Sequence, residues 1–340
     1  MKKINKVLTF RASSLGDSMM GKYFLENVHA YAPEARCYLL VGSRAKMIRE
    51  LFEMYPWITV VEASRRSFKS IAQAYQTLSG TDLALTQEAE NPFSTVSKFF
   101  ARAVTRRGGL MGFEDGWWGN KLLYDTILPY DGEEKSLGMI EEERKALKAA
   151  GIPIPIKDFS LLYREVPEVV PRFKLTAGRY IVVHFFAGAE GKSMSKEKQM
   201  AIVRHLREVL PQDIAIVLTG AKANKARSLE TAAGLANVLV ASGETSIPEL
   251  VTLIAHAAVI IATNTGAGHI AGHLKKPLVM LAHKKGIPGW WSEAMYHGEP
   301  KVLCNESEDD RAPRKSVYPP TLETITPEQV TEAVKSFGVI

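Results

Sequence analysis

Apolar residues along this chain come in short bursts separated by longer stretches with a helical repeat. Val7-Leu8-Thr9-Phe10 is the first burst, followed by the small polar loop Arg11 to Asp17. Met20, Tyr23, Phe24 and Tyr31 then recur at i, i+3, i+4 and i+11, one helical face, until Pro33 stops the run. Cys37 to Val41 again reads as a strand. The alternation continues with a helix from about Arg44 to Met54, a strand Ile58 to Val61, a helix Phe68 to Leu78 and a strand Leu83 to Leu85. Strands alternating with helices at this interval predict βαβ units on a parallel sheet.

From Gly151 to Thr176 the periodicity fades, and Pro153, Pro155, Pro167 and Pro171 mark an interdomain linker. The same alternation then restarts. Strand Tyr180 to Phe185 leads to a helix stacking Ile202, Val203, Leu206, Val209 and Leu210, then to strands Ile214 to Leu218 and Val238 to Val240. Ser246 and Glu249 form a capping-box pattern before the helix Pro248 to Ala258. Strands Val259 to Ala262 and Leu278 to Leu281 bracket one more helix, and a helix Pro327 to Phe337 closes the chain. The prediction is an α/β protein with two sheets. Ligands bind such sheets at the carboxyl ends of the strands, and two domains offer the cleft between two such rims.

Composition supports this picture and narrows the partners. With 340 residues, 46% hydrophobic and 24% charged, the chain is of ordinary globular make-up, long enough for two domains and not disordered. Cys37 and Cys304 are isolated, which excludes a disulfide framework or a zinc motif and suits a reducing cytoplasm. Only Val7 to Phe10 follow the basic start before Arg11, too short for a signal peptide. The stretch Leu250 to Ala262 is interrupted and too short to span a bilayer. A net charge of +6 favours anionic partners without separating nucleic acid, lipid headgroups and phosphorylated metabolites.

Three loops at the carboxyl ends of predicted strands could carry chemistry. In Ser13-Ser14-Leu15-Gly16-Asp17, small residues let backbone N–H groups approach a ligand, and the Asp17 carboxylate could act as a general base. Read alone, that loop favours Asp17 as a helix cap. The loop Phe186 to Ser193 ends in Gly191-Lys192-Ser193 like a P-loop, but Phe186 stands where the first P-loop glycine belongs. What remains is a glycine-rich loop delivering the Lys192 ammonium to a diphosphate, or a solvated surface lysine. Thr263-Asn264-Thr265-Gly266-Ala267-Gly268-His269 opens a helix with free N–H groups and the positive dipole end, an anion site. No acidic residue ends the next strand, where His283-Lys284-Lys285 follows, which disfavours a nicotinamide enzyme. His269 alone reads as a hydrogen-bonded core residue. A loop carboxylate in one domain, with a lysine and a Gly/Thr helix start in the other, describes sugar transfer from a nucleotide diphosphate.

Separated motifs in matching order resemble glycosyltransferase family nine, the ADP-heptose:lipopolysaccharide heptosyltransferases, over almost the whole chain. They are FRASSLGD near the start, VVHFFAGAEGKSMSKEKQ, ETSIPELVTLIAHAAVIIATNTGAGHIAGHLKKPLVML, and ITPEQVTEAV near the end. The resemblance implies a GT-B architecture, two Rossmann-like domains facing a central cleft. Residues 1–165 would form the acceptor domain, 172–325 the donor domain, and 326–340 a C-terminal helix packing back on the N-terminal domain. It implies inverting, metal-independent transfer of a heptose from ADP-heptose to a hydroxyl of a bacterial surface saccharide such as the lipopolysaccharide inner core. No cofactor beyond that donor is implied.

Carried over residue by residue, Asp17 is the implied base. Gly188, Lys192, Asn264, Thr265, Gly266, Ala267, Gly268 and His269 hold the donor, and Ser14, Gly16, Arg65, Arg66 and Lys69 meet an anionic acceptor. Arg102, Arg106 and Arg107 would extend that basic surface. The implied setting is cytoplasmic, with peripheral contact at the inner membrane surface and no nucleic-acid partner. Asn264 stands where the family has Asp, Ser195 or a neighbour replaces its usual Trp, and His283 to Gly286 replaces a common F/Y-G-x-T/S segment. These departures keep alternatives open: another nucleotide-sugar donor, an epimerase or hydrolase, or a sugar-nucleotide binding protein.

Overall fold

The computed structural model describes residues 3–10, 14–64, 66–86, 94–114, 117–129, 139–187, 194–282, 300–305 and 320–338. The chain divides into two compact units, Met1–Leu162 and Tyr163–Ile340. The division falls inside the proline-bearing stretch from Gly151 to Thr176.

The first unit runs β1 (Lys6–Phe10), α1 (Leu15–Tyr31), β2 (Arg36–Val41), α2 (Ala45–Leu51), β3 (Ile58–Glu62), α3 (Phe68–Leu78) and β4 (Leu83–Leu85). It continues with α4 (Ser94–Val104), β5 (Leu110–Phe113), α5 (Asn120–Leu123), β6 (Thr126–Leu128) and α6 (Met139–Ala149). Its sheet is parallel throughout, in the order β3-β2-β1-β4-β5-β6. Helices cover such a sheet on both faces, so its strands are continuous apolar runs rather than alternating ones. Val7 and Leu8, neighbours on β1, are accordingly both fully buried.

The second unit contains α7 (Val169–Arg172), β7 (Tyr180–His184), α8 (Lys196–Val209), β8 (Ala215–Leu218), α9 (Lys225–Ala232) and β9 (Val238–Val240). There follow α10 (Ile247–His256), β10 (Val259–Thr263), α11 (Gly266–His273), β11 (Leu278–Leu281), β12 (Lys301–Leu303) and α12 (Pro327–Lys335). Its parallel sheet has the order β9-β8-β7-β10-β11-β12, the same winding as the first unit's. Both units are therefore Rossmann-like, and two such units in one chain make the GT-B architecture. In each, the strand order reverses beside the first strand, between β1 and β4 and between β7 and β10. Connections leaving the carboxyl ends there diverge to opposite faces and open a crevice for a ligand.

Packing around the first crevice is close. Gly112 on β5 lies against the Tyr124 ring, and a Cβ there would sit 2.2 Å from Cζ of that ring. Tyr124 Oη accepts a 2.7 Å hydrogen bond from Thr86 Oγ1, which fixes the chain just past β4. Helix α1 is buried even at Lys22, whose Nζ lies 2.6 Å from Glu26 Oε1 and 4.9 Å from the centre of the Tyr55 ring. Burial pulls the Lys22 ammonium below and the Glu26 carboxyl above their ordinary values, and the attraction between the pair opposes both shifts. Removing one partner would leave an uncompensated buried charge, so the pair ties α1 firmly to its place.

In the second unit, α10 starts as its sequence predicts. The Ser246 N–H donates to Glu249 Oε2 at 2.7 Å, completing the capping box. Helix α12 packs into the core of its own unit, where Val330 and Val334 are fully buried with Ile202, Leu206 and Leu281.

Candidate active site

The rim of the first unit is built by the start of α1. Ser14 is the N-cap, and its hydroxyl accepts from the Asp17 N–H at 3.2 Å. That hydroxyl in turn donates to Asp17 Oδ2 at 2.6 Å. Asp17 is thus not the cap itself but the third helical residue, its half-buried carboxylate oriented by the cap and favoured by the positive helix end. Gly16, buried between them, sits in the same turn.

Arg66 and Lys69 are exposed at the carboxyl end of β3 and in the first turn of α3. That strand lies two places from β1, about 10 Å across the sheet. Ser67 caps α3 by accepting from the Ser70 N–H at 3.2 Å, which holds Lys69 on the first turn. Arg65 lies outside the described residues. Arg102 and Arg106 do not extend this surface. They stand at the far end of α4, where Arg102 pairs with Asp125 at 2.8 Å and Arg106 with Asp82 at 2.9 Å. Arg107 follows them beyond the helix, exposed at that same opposite edge.

The rim of the second unit centres on α11. Thr265 is its N-cap, yet the side chain makes no capping bond. Its Oγ1 donates backwards to the Thr263 carbonyl at 3.1 Å. Helices α1, α3, α8, α10 and α12 are all closed by a Ser or Thr side chain, so the open start of α11 contrasts with them. The first intrahelical bond runs from the His269 N–H to the Thr265 carbonyl. The amides of Gly266, Ala267 and Gly268 precede it and point out of the helix start. Asn264, Thr265 and Gly266 are half-buried, and Ala267 and Gly268 are buried. His269 is buried one turn in, with its carbonyl accepting from His273 Nδ1 at 2.8 Å. Gly188 and Lys192, and the segment His283 to Gly286, lie outside the described residues. Ser195 caps α8 and donates through Oγ to Glu323 Oε2 at 2.6 Å.

One residue on this rim is absent from the sequence-derived set. His184 ends β7, beside β10, and its Nδ1 lies 2.9 Å from Thr219 Oγ1 at the end of β8. Burial holds the imidazolium form down, to about 4. The next loop is seated by Gly220, where a Cβ would come within 2.8 Å of the Phe186 ring. The only sequence signal was a polar residue at the end of an otherwise apolar strand. The unfolded chain protonates this histidine near 6.5 and the folded chain near 4, so acid favours unfolding between those values. His184→Asn is therefore expected to lose less thermal stability than the parent as pH falls from about 7 to about 4.5, read from unfolding midpoints.

Among the described residues, no group of three His, Cys, Asp or Glu side chains is placed to hold a metal. No helix among them is long and apolar enough to cross a membrane.

Residues 143–285, from α6 through β11, match the family model for glycosyltransferase family 9 (heptosyltransferase). The chain carries a glycosyltransferase family 9 domain. That domain supports glycosyltransferase activity and agrees with the resemblance read from the motifs. No curated protein sequence matches the chain. Solved structures similar to it extend over nearly its full length. The ADP-heptose lipopolysaccharide heptosyltransferase II of E. coli is 19% identical, covering 97% of this chain and 98% of its own, with a TM-score of 0.71. A family 9 glycosyl transferase of Veillonella parvula is 13% identical, with 98% of each chain covered and a TM-score of 0.73. The E. coli heptosyltransferase WaaC, solved with ADP-2-deoxy-2-fluoro heptose, is 16% identical over 98% of this chain and 99% of its own, with a TM-score of 0.68. At these identities the likeness establishes the shared fold.

Proposed function

We propose that the protein is an inverting, metal-independent heptosyltransferase that moves a heptose from ADP-heptose to a hydroxyl of a bacterial surface saccharide such as the lipopolysaccharide inner core. The observation that carries this reading is the start of α11 at the second unit's crevice, where the N-cap side chain leaves the first backbone amides and the helix dipole uncapped, a setting suited to a diphosphate. In this reading Asp17 accepts the proton of the acceptor hydroxyl as its oxygen attacks the anomeric carbon. The bond from that carbon to the diphosphate breaks in the same displacement, and the departing ADP keeps the electron pair. The α11 amides and Lys192 stabilise the charge that develops on it, the role a metal would otherwise fill. Gly188 lets the loop approach the diphosphate, while Asn264 and His269 shape the helix start. Ser14 and Gly16 present Asp17, and Arg65, Arg66 and Lys69 meet the acidic groups of the acceptor. The protein works in the cytoplasm, at the inner face of the membrane that bears such acceptors.

A ligand that binds only the folded state raises its stability, by about 2.7 kcal/mol at a hundred times its dissociation constant. In a panel of nucleotide diphosphate sugars scored by thermal shift, ADP-heptose should therefore give the largest increase. Asn264 in place of Asp removes a charge from this rim, so the panel also decides donor identity. A shift with another nucleotide sugar and none with ADP-heptose would reject the donor, and binding without turnover on any acceptor would reject the transferase.

A further inference from the structure

Three serines lock the turn between β3 and α3. Ser64, Ser67 and Ser70 follow one another at intervals of three, and their hydrogen bonds run among themselves. The Ser67 N–H donates to the Ser64 carbonyl at 2.9 Å, and the Arg66 N–H donates to Ser64 Oγ at 3.3 Å. Ser70 Oγ accepts from the Ser64 N–H at 3.0 Å and donates to the Ser67 carbonyl at 2.9 Å. With the Ser67 hydroxyl capping the Ser70 N–H, the backbone is tied at both ends of the turn. Such bonds set a short segment in one conformation before any ligand arrives.

This turn holds a phenylalanine out in water. Phe68 is 92% exposed, more than any other large apolar side chain among the described residues. It is not a displaced core residue, because α3 fills its place in the core with Ala74 and Leu78. Arg66 and Lys69 stand on either side of it in sequence, both exposed and without an acidic partner among the described residues. From Ala63 to Gly80 the chain carries Arg65, Arg66 and Lys69 and no acidic residue. The turn follows β3, so it stands at the carboxyl edge of the first sheet, as Asp17 does.

Chemistry selects the occupant. The face of an aromatic ring is electron-rich and attracts positively polarised hydrogens. A sugar ring offers them, since C–H bonds gather on its face while hydroxyl and acid groups project from its edge. A flat ring with free cations beside it therefore matches an acidic sugar. One phenyl group is too little apolar surface to seat a second protein or to hold a bilayer.

We propose that Phe68 is an acceptor-specificity residue, a platform on which one ring of an acidic saccharide lies by its C–H face while Arg66 and Lys69 take the acid groups at its edge. The proposal rests on the functional reading above and adds to it an apolar contact that cations alone do not supply.

The test is calorimetric titration of the full chain, without donor, with a deacylated lipopolysaccharide inner-core oligosaccharide. The parent should bind it, and Phe68→Ser should bind about tenfold more weakly. The unfolding midpoint of that variant should not move, because so exposed a ring touches little of the fold. Phe68→Tyr should restore the parent's affinity, whereas Phe68→Leu, apolar but not flat, should not. The loss in Phe68→Ser should persist at high salt and that in Lys69→Gln should shrink there, since screening weakens only the charge contact. In steady-state transfer the Phe68→Ser loss should appear in acceptor KM rather than in turnover at saturating acceptor. A Phe68→Ser protein that titrates like the parent overturns the proposal, as does a Phe68→Leu protein equal to Phe68→Tyr, or a parent that takes up no oligosaccharide. So does a Phe68→Ser protein whose only loss is in sedimentation with phospholipid vesicles. Transfer is scored separately, so a parent that binds the oligosaccharide and never transfers to it would reject the functional reading while the Phe68 series still decides this one.

Discussion

Asp17→Asn is expected to lower transfer by a factor of about 10²–10⁴, the usual worth of a positioned general base, with donor affinity unchanged. The substitution keeps the shape of the side chain and an oxygen able to accept from the Ser14 hydroxyl, which donates to Asp17 Oδ2 at 2.6 Å. What is lost is the proton acceptor. The cap of α1 survives, because it depends on Ser14 accepting from the residue 17 N–H, a bond this substitution leaves in place. Loss of the carboxylate from the first helical turn should cost only about 0.3–1 kcal/mol of stability. The decisive measurement is turnover at saturating donor beside calorimetric ADP affinity in the same preparation. Turnover equal to the parent's would remove Asp17 from the chemistry and leave it a first-turn residue bonded to the Ser14 hydroxyl. Ser14→Ala separates position from proton transfer: it frees the carboxylate to rotate while leaving it in place, so its loss of rate should be smaller.

Much of the architecture is legible in the sequence because a parallel sheet covered on both faces demands continuous apolar strands. Val7 to Phe10, Tyr180 to His184 and Val259 to Ala262 announce themselves in this way. The elements that escape such a reading are those whose burial is partial or supplied by something else. Strand β5 contains Gly112, whose side of the strand is filled by the Tyr124 ring, so the sequence shows a gap where the structure has a packed surface. Strand β12 is a three-residue edge strand with only half-buried side chains. Helix α6 is mostly charged and buries little beyond Ile140, Glu143, Ala146 and Leu147. Helix α4 buries Ala101 and Val104 in the core, but it also carries Val96 and Phe99 outside and Lys98 inside, a mixture that periodicity alone does not resolve.

The same limit applies to the site. Loop composition after β1 and β10 locates both rims, because Gly, Ser and Thr at helix starts have few other uses there. It does not say which residue caps. Ser14 takes the place that composition alone assigns to Asp17, and Thr265 declines it by turning toward the Thr263 carbonyl. Nor can a list of basic residues tell which arginines are free. Arg102 and Arg106 are held by Asp125 and Asp82, partners brought close only by the packing of α4 beside β4 and β5. Burial works to raise the Asp125 carboxyl, and the Leu110 amide and the Arg102 guanidinium outweigh it, holding it below the usual range. That pair belongs to the fold.

Thr265→Asp should stabilise the chain and weaken its grip on the donor at the same time. Helix α11 begins without a side-chain cap, so its N-cap does nothing for its first amides or its dipole. Aspartate is a preferred N-cap, and its charge complements the helix end, so capping here should add about 0.5–1 kcal/mol to folding. A carboxylate seated on those amides occupies the position proposed for the diphosphate and repels it, and ADP affinity should fall at least about tenfold. Thr265→Ser keeps a neutral hydroxyl able to turn back on the Thr263 carbonyl, as Thr265 Oγ1 does at 3.1 Å, and should change neither quantity much. The opposed signs make the outcome specific. A substitution that merely damages the loop lowers stability and affinity together, and one that acts far from the donor leaves affinity alone. Unfolding midpoints without ligand, set beside calorimetric titration with ADP, distinguish these cases. A more stable Thr265→Asp protein with unchanged ADP affinity would mean that the diphosphate is held elsewhere, and the function proposed for the α11 start would fall with it.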